Sequence, residues 1–299
     1  LYWKSQPPLH LLPAEIVGYL LKDCTSKEGA VSIDDFLTGK DSPGRILNLK
    51  RTGLVEKLEE LEQKNYIQMN NKISFFLPTR KGSERVKNKN TRPFANIEGG
   101  LVENKIRQLL STKFIDEIIF SSNDKDCIAI AQKYLFDNRL KIIPRPEYLC
   151  LSSTNLQDLI CYVPTITDAT HILWGHVTTP LTDAEQYDNG IKLYLDNLHK
   201  GYDSLVGVNE LKNFLLDTNG KLINNTTSLP WPRTQDLTPL YEINHTMFLA
   251  KREVYIEQKN RIGQKPLLHV MDKLHSLDID WPDDFIIAEI MYNNLYGKK

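Results

Sequence analysis

The chain has 299 residues, 41% hydrophobic and 25% charged, with a formal net charge of -1. That balance suits a globular protein with a sizeable core, excludes a disordered chain, and argues against a nucleic-acid-binding face spread over the whole molecule. No apolar run approaches the ~20 residues of a membrane span, and the opening LYWKSQPPLHLLP lacks the extended apolar segment of a secretory signal, so a soluble cytoplasmic protein with no membrane partner is expected.

In chain order, a small helical module comes first. Ile16, Leu20 and Leu21 form one amphipathic face, Ser32 with Asp35 resembles a capping box before Phe36 and Leu37, and Leu54, Leu58 and Leu61 form a second stripe. With NYIQMNNKISF following and Asn70–Asn71 as a turn, residues 1–72 are compatible with a winged-helix-like module. Glu56, Glu59, Glu60 and Glu62 would repel phosphates, so an appendage that packs on the rest of the chain or on a partner is favoured over nucleic acid.

Residues 73–299 alternate short apolar runs with helical periodicity, the pattern of an α/β domain with a mainly parallel, doubly wound sheet. Strands are expected at Ile73–Leu77, Glu117–Ser121, Lys141–Ile143, His171–His176, Ser204–Val208, Thr246–Ala250 and Leu267–Met271, with helices at 100–112, 124–136 and 184–199. Asn219–Gly220 marks a hairpin turn inside an excursion over 209–243. Cys24, Cys127, Cys150 and Cys161 show no CxxC spacing, so reduced thiols are expected rather than disulfides or zinc. The sequons at Asn224, Asn225 and Asn244 are then chance matches.

The first strand runs into FFLPTRKGSERVKNKN, residues 75–90, where an apolar segment meets a loop crowded with cations. Arg80, Lys81, Arg85, Lys87, Lys89 and Arg92 are opposed only by Glu84, and Gly82 and Ser83 let a backbone approach a ligand closely. Such a loop at the carboxyl end of a strand in an open α/β sheet suits a polyphosphate.

This loop carries a family resemblance. Leu77–Asn90 resembles the opening signature of the CTP-dependent acylneuraminate cytidylyltransferases, roughly [IL]PARxGSKxxxxKN, with Pro78, Arg80, Gly82, Ser83, Lys89 and Asn90 in register and Thr79 and Glu84 departing from it. Further segments follow in the family's order. PRPEYL at 144–149 resembles its RPxxLS, and ILWGHVTTPL at 172–181 resembles its QPTSPL, with His176 and Val177 replacing Gln and Pro. PRTQDLTPLYEINHTMFLAKREVY at 232–255 resembles its RRQDLPPVYxxNGAIYIxRRE, and SLDIDWPDDF at 276–285 its SxDIDxxxDL.

The resemblance implies a Rossmann-like nucleotidyltransferase that moves CMP from CTP to the anomeric hydroxyl of an acidic nine-carbon sugar, releases pyrophosphate, uses Mg²⁺ and forms a homodimer. On the matching positions it gives Arg80, Lys89 and Asp280 to catalysis, and Arg80, Ser83, Lys89, Asn90, Arg145 and Asn155 to the nucleotide. His176, Arg233, Tyr241 and Asn244 fall to the sugar, with Arg233 as a partner for its carboxylate. Asp278 and Asp280 alternate along an extended segment, which brings both carboxylates to one face where one Mg²⁺ can be shared with phosphate oxygens and waters. Asp283 and Asp284 are read as helix-starting residues, and His269 and His275 as structural. Two other readings stay open: activation of manno-octulosonate, against which the Lys89–Asn90 pair weighs, and a degenerate nucleotide-binding regulator, motivated by Thr79, Glu84, His176 and Val177.

Overall fold

A computed structural model describes residues 71–82 and 85–297, together with the strand segments Tyr2–Trp3 and Ile67–Gln68. The chain divides into two compact units, Leu1–Asn71 and Lys72–Lys299. In the first, the backbones of Tyr2–Trp3 and Ile67–Gln68 pair antiparallel. The helices anticipated between residues 16 and 61 lie outside the described residues.

The second unit runs β1 (Ile73–Pro78), α1 (Gly100–Leu110), β2 (Glu117–Ser122), α2 (Lys125–Gln132), β3 (Leu140–Pro144), α3 (Leu156–Tyr162), β4 (His171–Trp174), α4 (Ala184–Leu195), β5 (Ser204–Leu211), β6 (Leu240–Lys251), α5 (Arg252–Glu257), β7 (Pro266–Val270) and α6 (Pro282–Tyr296). Its strands form a seven-stranded sheet in the order β3-β2-β1-β4-β6-β5-β7. Pairing is parallel from β3 through β4 and between β5 and β7, while β6 runs antiparallel to both neighbours.

Period-two alternation sends each strand's apolar side chains to two separate cores. Phe75, Ile118, Phe120, Leu173 and Leu249 pack with α1, α2, α4 and α6 on one face. Phe76, Ile119, Trp174, Phe248 and Tyr255 pack with α3 and α5 on the other. Helices thus cover both faces, as a mostly parallel sheet requires. The excursion after β5 contains the anticipated turn, with Gly220 at φ +79° and its amide donating to the Asp217 carbonyl at 3.0 Å.

Three local features shape the edge where the carboxyl ends of β1 and β4 meet. β4 ends at Trp174, two residues before the expected His176, because the chain turns away at Gly175. A Cβ there would sit 2.4 Å from the Phe75 ring and 3.2 Å from the Thr246 carbonyl. In β6, the register with β5 slips between Val206/Phe248 and Val208/Ile243, leaving a bulge at Asn244–Met247 in which His245 takes φ +59°. Gly207 faces that bulge, and a Cβ on it would lie 2.2 Å from Thr246 Oγ1 and 2.6 Å from Asn244 Oδ1.

Candidate active site

The switch point of the sheet, where strand order reverses between β1 and β4, is where open α/β sheets place ligands. A cavity of about 320 Å³ lies there, lined by Arg80, Arg85, Lys89 and Asn90 on one side and by His176, Val177 and Thr178 on the other. Val86, almost fully buried, pins the cationic loop to the core. Gly82 at φ +91° and Asn88 at φ +53° bend it. Among the described residues no atom beyond its chain neighbours lies within 4 Å of where a Cβ on Gly82 would stand, while the Lys81 amide donates to Asn123 Oδ1 at 3.0 Å.

Arg145 braces the start of this loop and does not line the cavity. It is buried, donates from Nη2 to the Thr79 carbonyl and from Nε to Cys150 Sγ at 3.1 Å, and its amide donates to the Ser122 carbonyl at 2.9 Å. Arg80 is exposed and makes one long contact, Nη1 to the Cys150 carbonyl at 3.4 Å, so most of its donors remain for a ligand.

The late acidic segment is stitched to the wall that follows β4. The Ile279 amide donates to the Thr178 carbonyl at 2.9 Å, and Lys89 Nζ donates to the Ile279 carbonyl at 2.7 Å, so loop and segment meet directly. Arg85 pairs with Asp280 at 2.8 Å and stacks over Trp281 at 5.1 Å. Asp284 Oδ2 accepts the amides of Asp280 at 2.9 Å and Trp281 at 2.7 Å, which caps α6 and fixes the segment's exit. Asp283 and Asp284 lie in the first turn of α6, where acidic side chains favour the helix dipole.

Electrostatics at this junction are strained by partial burial. Burial holds Lys89 below its usual pKa, although Asp278 and Asp280 pull it upward. Burial also raises Asp278, against the opposing pull of the Thr178 hydroxyl, and the nearby Asp280 charge adds to the rise. Asp278 Oδ1 is buried without a partner. An orphaned carboxylate oxygen beside a second carboxylate fits a hard divalent cation. Among the described residues no group of three or more His, Cys, Asp or Glu is placed to hold a metal, so such an ion would draw on phosphate oxygens and waters for its remaining ligands.

The remaining sequence candidates are dispersed. Ser83 lies outside the described residues, as does Glu84. Asn155 caps α3, accepting from the Gln157 amide at 3.0 Å. Arg233 is 71% exposed and held bidentately by Asp236 at 2.8 and 2.9 Å. Tyr241 is exposed on β6, and Asn244 is buried in the bulge, where Oδ1 accepts from Thr246 and Nδ2 donates to Asn209 Oδ1 at 3.0 Å. His176 lines the cavity, and burial pulls its pKa down to about 3, so the ring is neutral. His275 pairs with Asp272 at 2.8 Å. Cys127, Cys150 and Cys161 carry free thiols. Sequence reasoning missed Thr178 and His245, because a threonine and a non-glycine at positive φ have no local pattern.

No protein-family model matches the chain. It is 27% identical over 225 residues to an N-acylneuraminate cytidylyltransferase of Escherichia coli O18:K1:H7 (strain RS218 / NMEC), a match covering 74% of this chain and 52% of that protein. It is 22% identical over 235 residues to the pseudaminic acid cytidylyltransferase of Campylobacter jejuni subsp. jejuni serotype O:2, covering 72% of this chain and 94% of the other. The chain is similar to both enzymes at modest identity. It spans about half the length of the first of these relatives. Among solved structures, a CMP:2-keto-3-deoxy-manno-octonic acid synthetase complexed with CTP superposes with a TM-score of 0.53 at 11% identity, over 75% of this chain and 99% of that one. A 4-diphosphocytidyl-2C-methyl-D-erythritol synthase from Anaerococcus prevotii gives a TM-score of 0.51 at 14% identity, over 74% and 96%. The fold is therefore the α/β fold of cytidylyltransferases. No helix among the described residues is long and apolar enough to cross a membrane.

Proposed function

We propose that this chain transfers CMP from CTP to the anomeric hydroxyl of an acidic nonulosonate sugar, releasing pyrophosphate. One observation carries the reading: the cationic loop after β1 meets the Asp278–Asp280 segment through Lys89 at the sheet's switch point, around a cavity. Cations that neutralise a triphosphate and carboxylates that hold a divalent ion are what positioning and charge stabilisation demand of phosphoryl chemistry. The similarity to N-acylneuraminate and pseudaminic acid cytidylyltransferases supports the sugar class.

In this reaction Arg80, Arg85 and Lys89 bind and orient the outer phosphates, and Asn90 faces the nucleotide. Asp278 and Asp280 would hold Mg²⁺, which supplies Lewis-acid neutralisation of phosphate charge when bound. His176 and Thr178 bound the side from which the acceptor approaches. Arg145 serves the site by holding the Thr79 carbonyl.

Pyrophosphate release tests the proposal, measured with CTP, Mg²⁺ and three acceptors: an N-acylneuraminic acid, pseudaminic acid and 2-keto-3-deoxy-manno-octonic acid. Turnover with either nine-carbon acid is the expected result. Turnover with the eight-carbon acid alone would move the assignment to that substrate, and CTP binding without turnover of any acid would overturn the enzyme reading.

A further inference from the structure

Four buried polar atoms without partners gather on one face of the sheet: Trp174 Nε1, His176 Nε2, Tyr255 Oη and Arg261 Nη1. Folded proteins leave few such atoms, and those they leave together call for a ligand or water. Arg261 is the centre of the group. Its Cζ lies 3.7 Å from the Phe248 ring centroid and 4.9 Å from that of Trp174, whose ring is 6.4 Å from the ring of His176.

This guanidinium has no acidic partner among the described residues. Burial lowers its pKa to about 10, which still leaves it cationic at neutral pH. A cation held in an aromatic, largely dry setting without a counter-charge is unfavourable until an anion joins it. The two rings also fix its plane in advance, so little freedom is lost when a carboxylate docks on the fork. Arg261 is the charge that acts most strongly on His176, which lines the cavity. Arg233, by contrast, already has its fork occupied by Asp236 and stands out in solvent.

We propose that Arg261, stacked over the rings of Trp174 and Phe248 beside His176, receives the carboxylate of the acidic sugar acceptor. The inference rests on the reaction proposed above and names the residue that selects an acid over a neutral sugar. A neutral acceptor would leave the guanidinium unpaired, and sites built to pair a buried polar group discriminate strongly against analogues that cannot do so. Trp174 Nε1 offers a further donor to the same anion.

The test uses the full chain with CTP, Mg²⁺ and whichever of the N-acylneuraminic, pseudaminic or octonic acids is turned over, alongside the carboxamide of that acid. Arg261→Met is expected to raise KM for the acid about 10- to 100-fold, to leave KM for CTP unchanged, and to erase the preference for acid over carboxamide. Arg261→Lys keeps the charge and loses the fork, so it should recover part of that preference, and it serves as the variant if the Met form does not fold. An unchanged KM and an unchanged acid preference in a folded variant would overturn the Arg261 assignment while the reaction stands. Failure of the unaltered chain to turn over any of these acids would overturn both.

Discussion

Lys89 is the residue on which the site converges, since its ammonium reaches the Ile279 carbonyl while lying near both Asp278 and Asp280. Arg80, with most of its donors free, faces the same cavity. Replacing either with Ala should weaken CTP binding by roughly 1.5–3 kcal/mol for Lys89 and nearer the lower figure for the exposed Arg80. Binding of CMP should change less, because the outer phosphates are absent from it, and calorimetry with both nucleotides reads the difference; equal losses would contradict the assignment. The two members of the acidic pair separate by stability rather than by rate. Asp278→Asn removes a charge that burial disfavours and should leave stability unchanged or raised, whereas Asp280→Asn breaks an exposed ion pair worth about 0.2–1 kcal/mol. Both should abolish turnover, and the double variant should be no worse than either single one if one ion serves both. Near-normal rates at limiting Mg²⁺ would make the pair structural.

At the scale of elements, the bulge in β6 shapes the wall beyond the phosphate loop. His245 holds a left-handed backbone there, a conformation that costs a non-glycine residue about 1–2 kcal/mol. Asn244 and Thr246 on either side are tied into a hydrogen-bonded knot against Gly207. His245→Gly should therefore match or exceed the unaltered chain in stability, and His245→Val should fall about 1–2 kcal/mol below the glycine variant. Denaturant titration decides it, and equal stability of the two would mean that the bulge is not strained. A second element-level clamp is Lys105 on α1, fully buried, whose ammonium donates to the carbonyls of Thr179 at 2.9 Å and Thr182 at 2.7 Å and to Tyr187 Oη at 3.1 Å. It anchors the turn just past His176–Thr178, so the cavity wall inherits its position from the helix.

For the molecule as a whole, buried neutral histidines tie stability to pH. Burial pulls His171 down to about 3, far below the ~6.5 of an unfolded chain. Between those values the unfolded chain binds a proton that the folded chain refuses, so stability falls as pH drops from about 6.5 toward 3. The slope reaches at most about 1.4 kcal/mol per pH unit for each such group. His171→Gln, uncharged throughout, should flatten the slope in urea titrations; an unaltered slope would place the acid sensitivity elsewhere.

The strand pattern was legible in the sequence because it depends on spacing alone, whereas the meeting of the cationic loop with the acidic pair was legible only through the family resemblance, since spacing says nothing of contacts between segments so far apart in the chain. Ile73, Phe75 and Leu77 alternate with Phe76 between two cores, and period two shows that directly. The reversal of β6 was not legible. It depends on an irregular return after Leu211 rather than on any residue within the strand. The bulge escaped notice because His245 occupies a backbone state that glycine usually advertises. Arg261 escaped it because only the fold sets one arginine of KNRIGQK over the rings of Phe248 and Trp174.

The ion pair between Arg85 and Asp280 has a thermodynamic consequence for the order of events at the site. Arg85, proposed above to bind phosphate, and Asp280, proposed to hold the metal, are paired with each other. On that reading each ligand would free the group that the other needs, so the affinities for Mg²⁺ and CTP should rise together, by the same factor in both directions. An exposed pair worth about 0.2–1 kcal/mol limits that factor to roughly fivefold. Calorimetry of CTP with and without Mg²⁺ should find the coupling reduced by that amount in Arg85→Ala, which would leave Asp280 ready for its ion before any triphosphate enters.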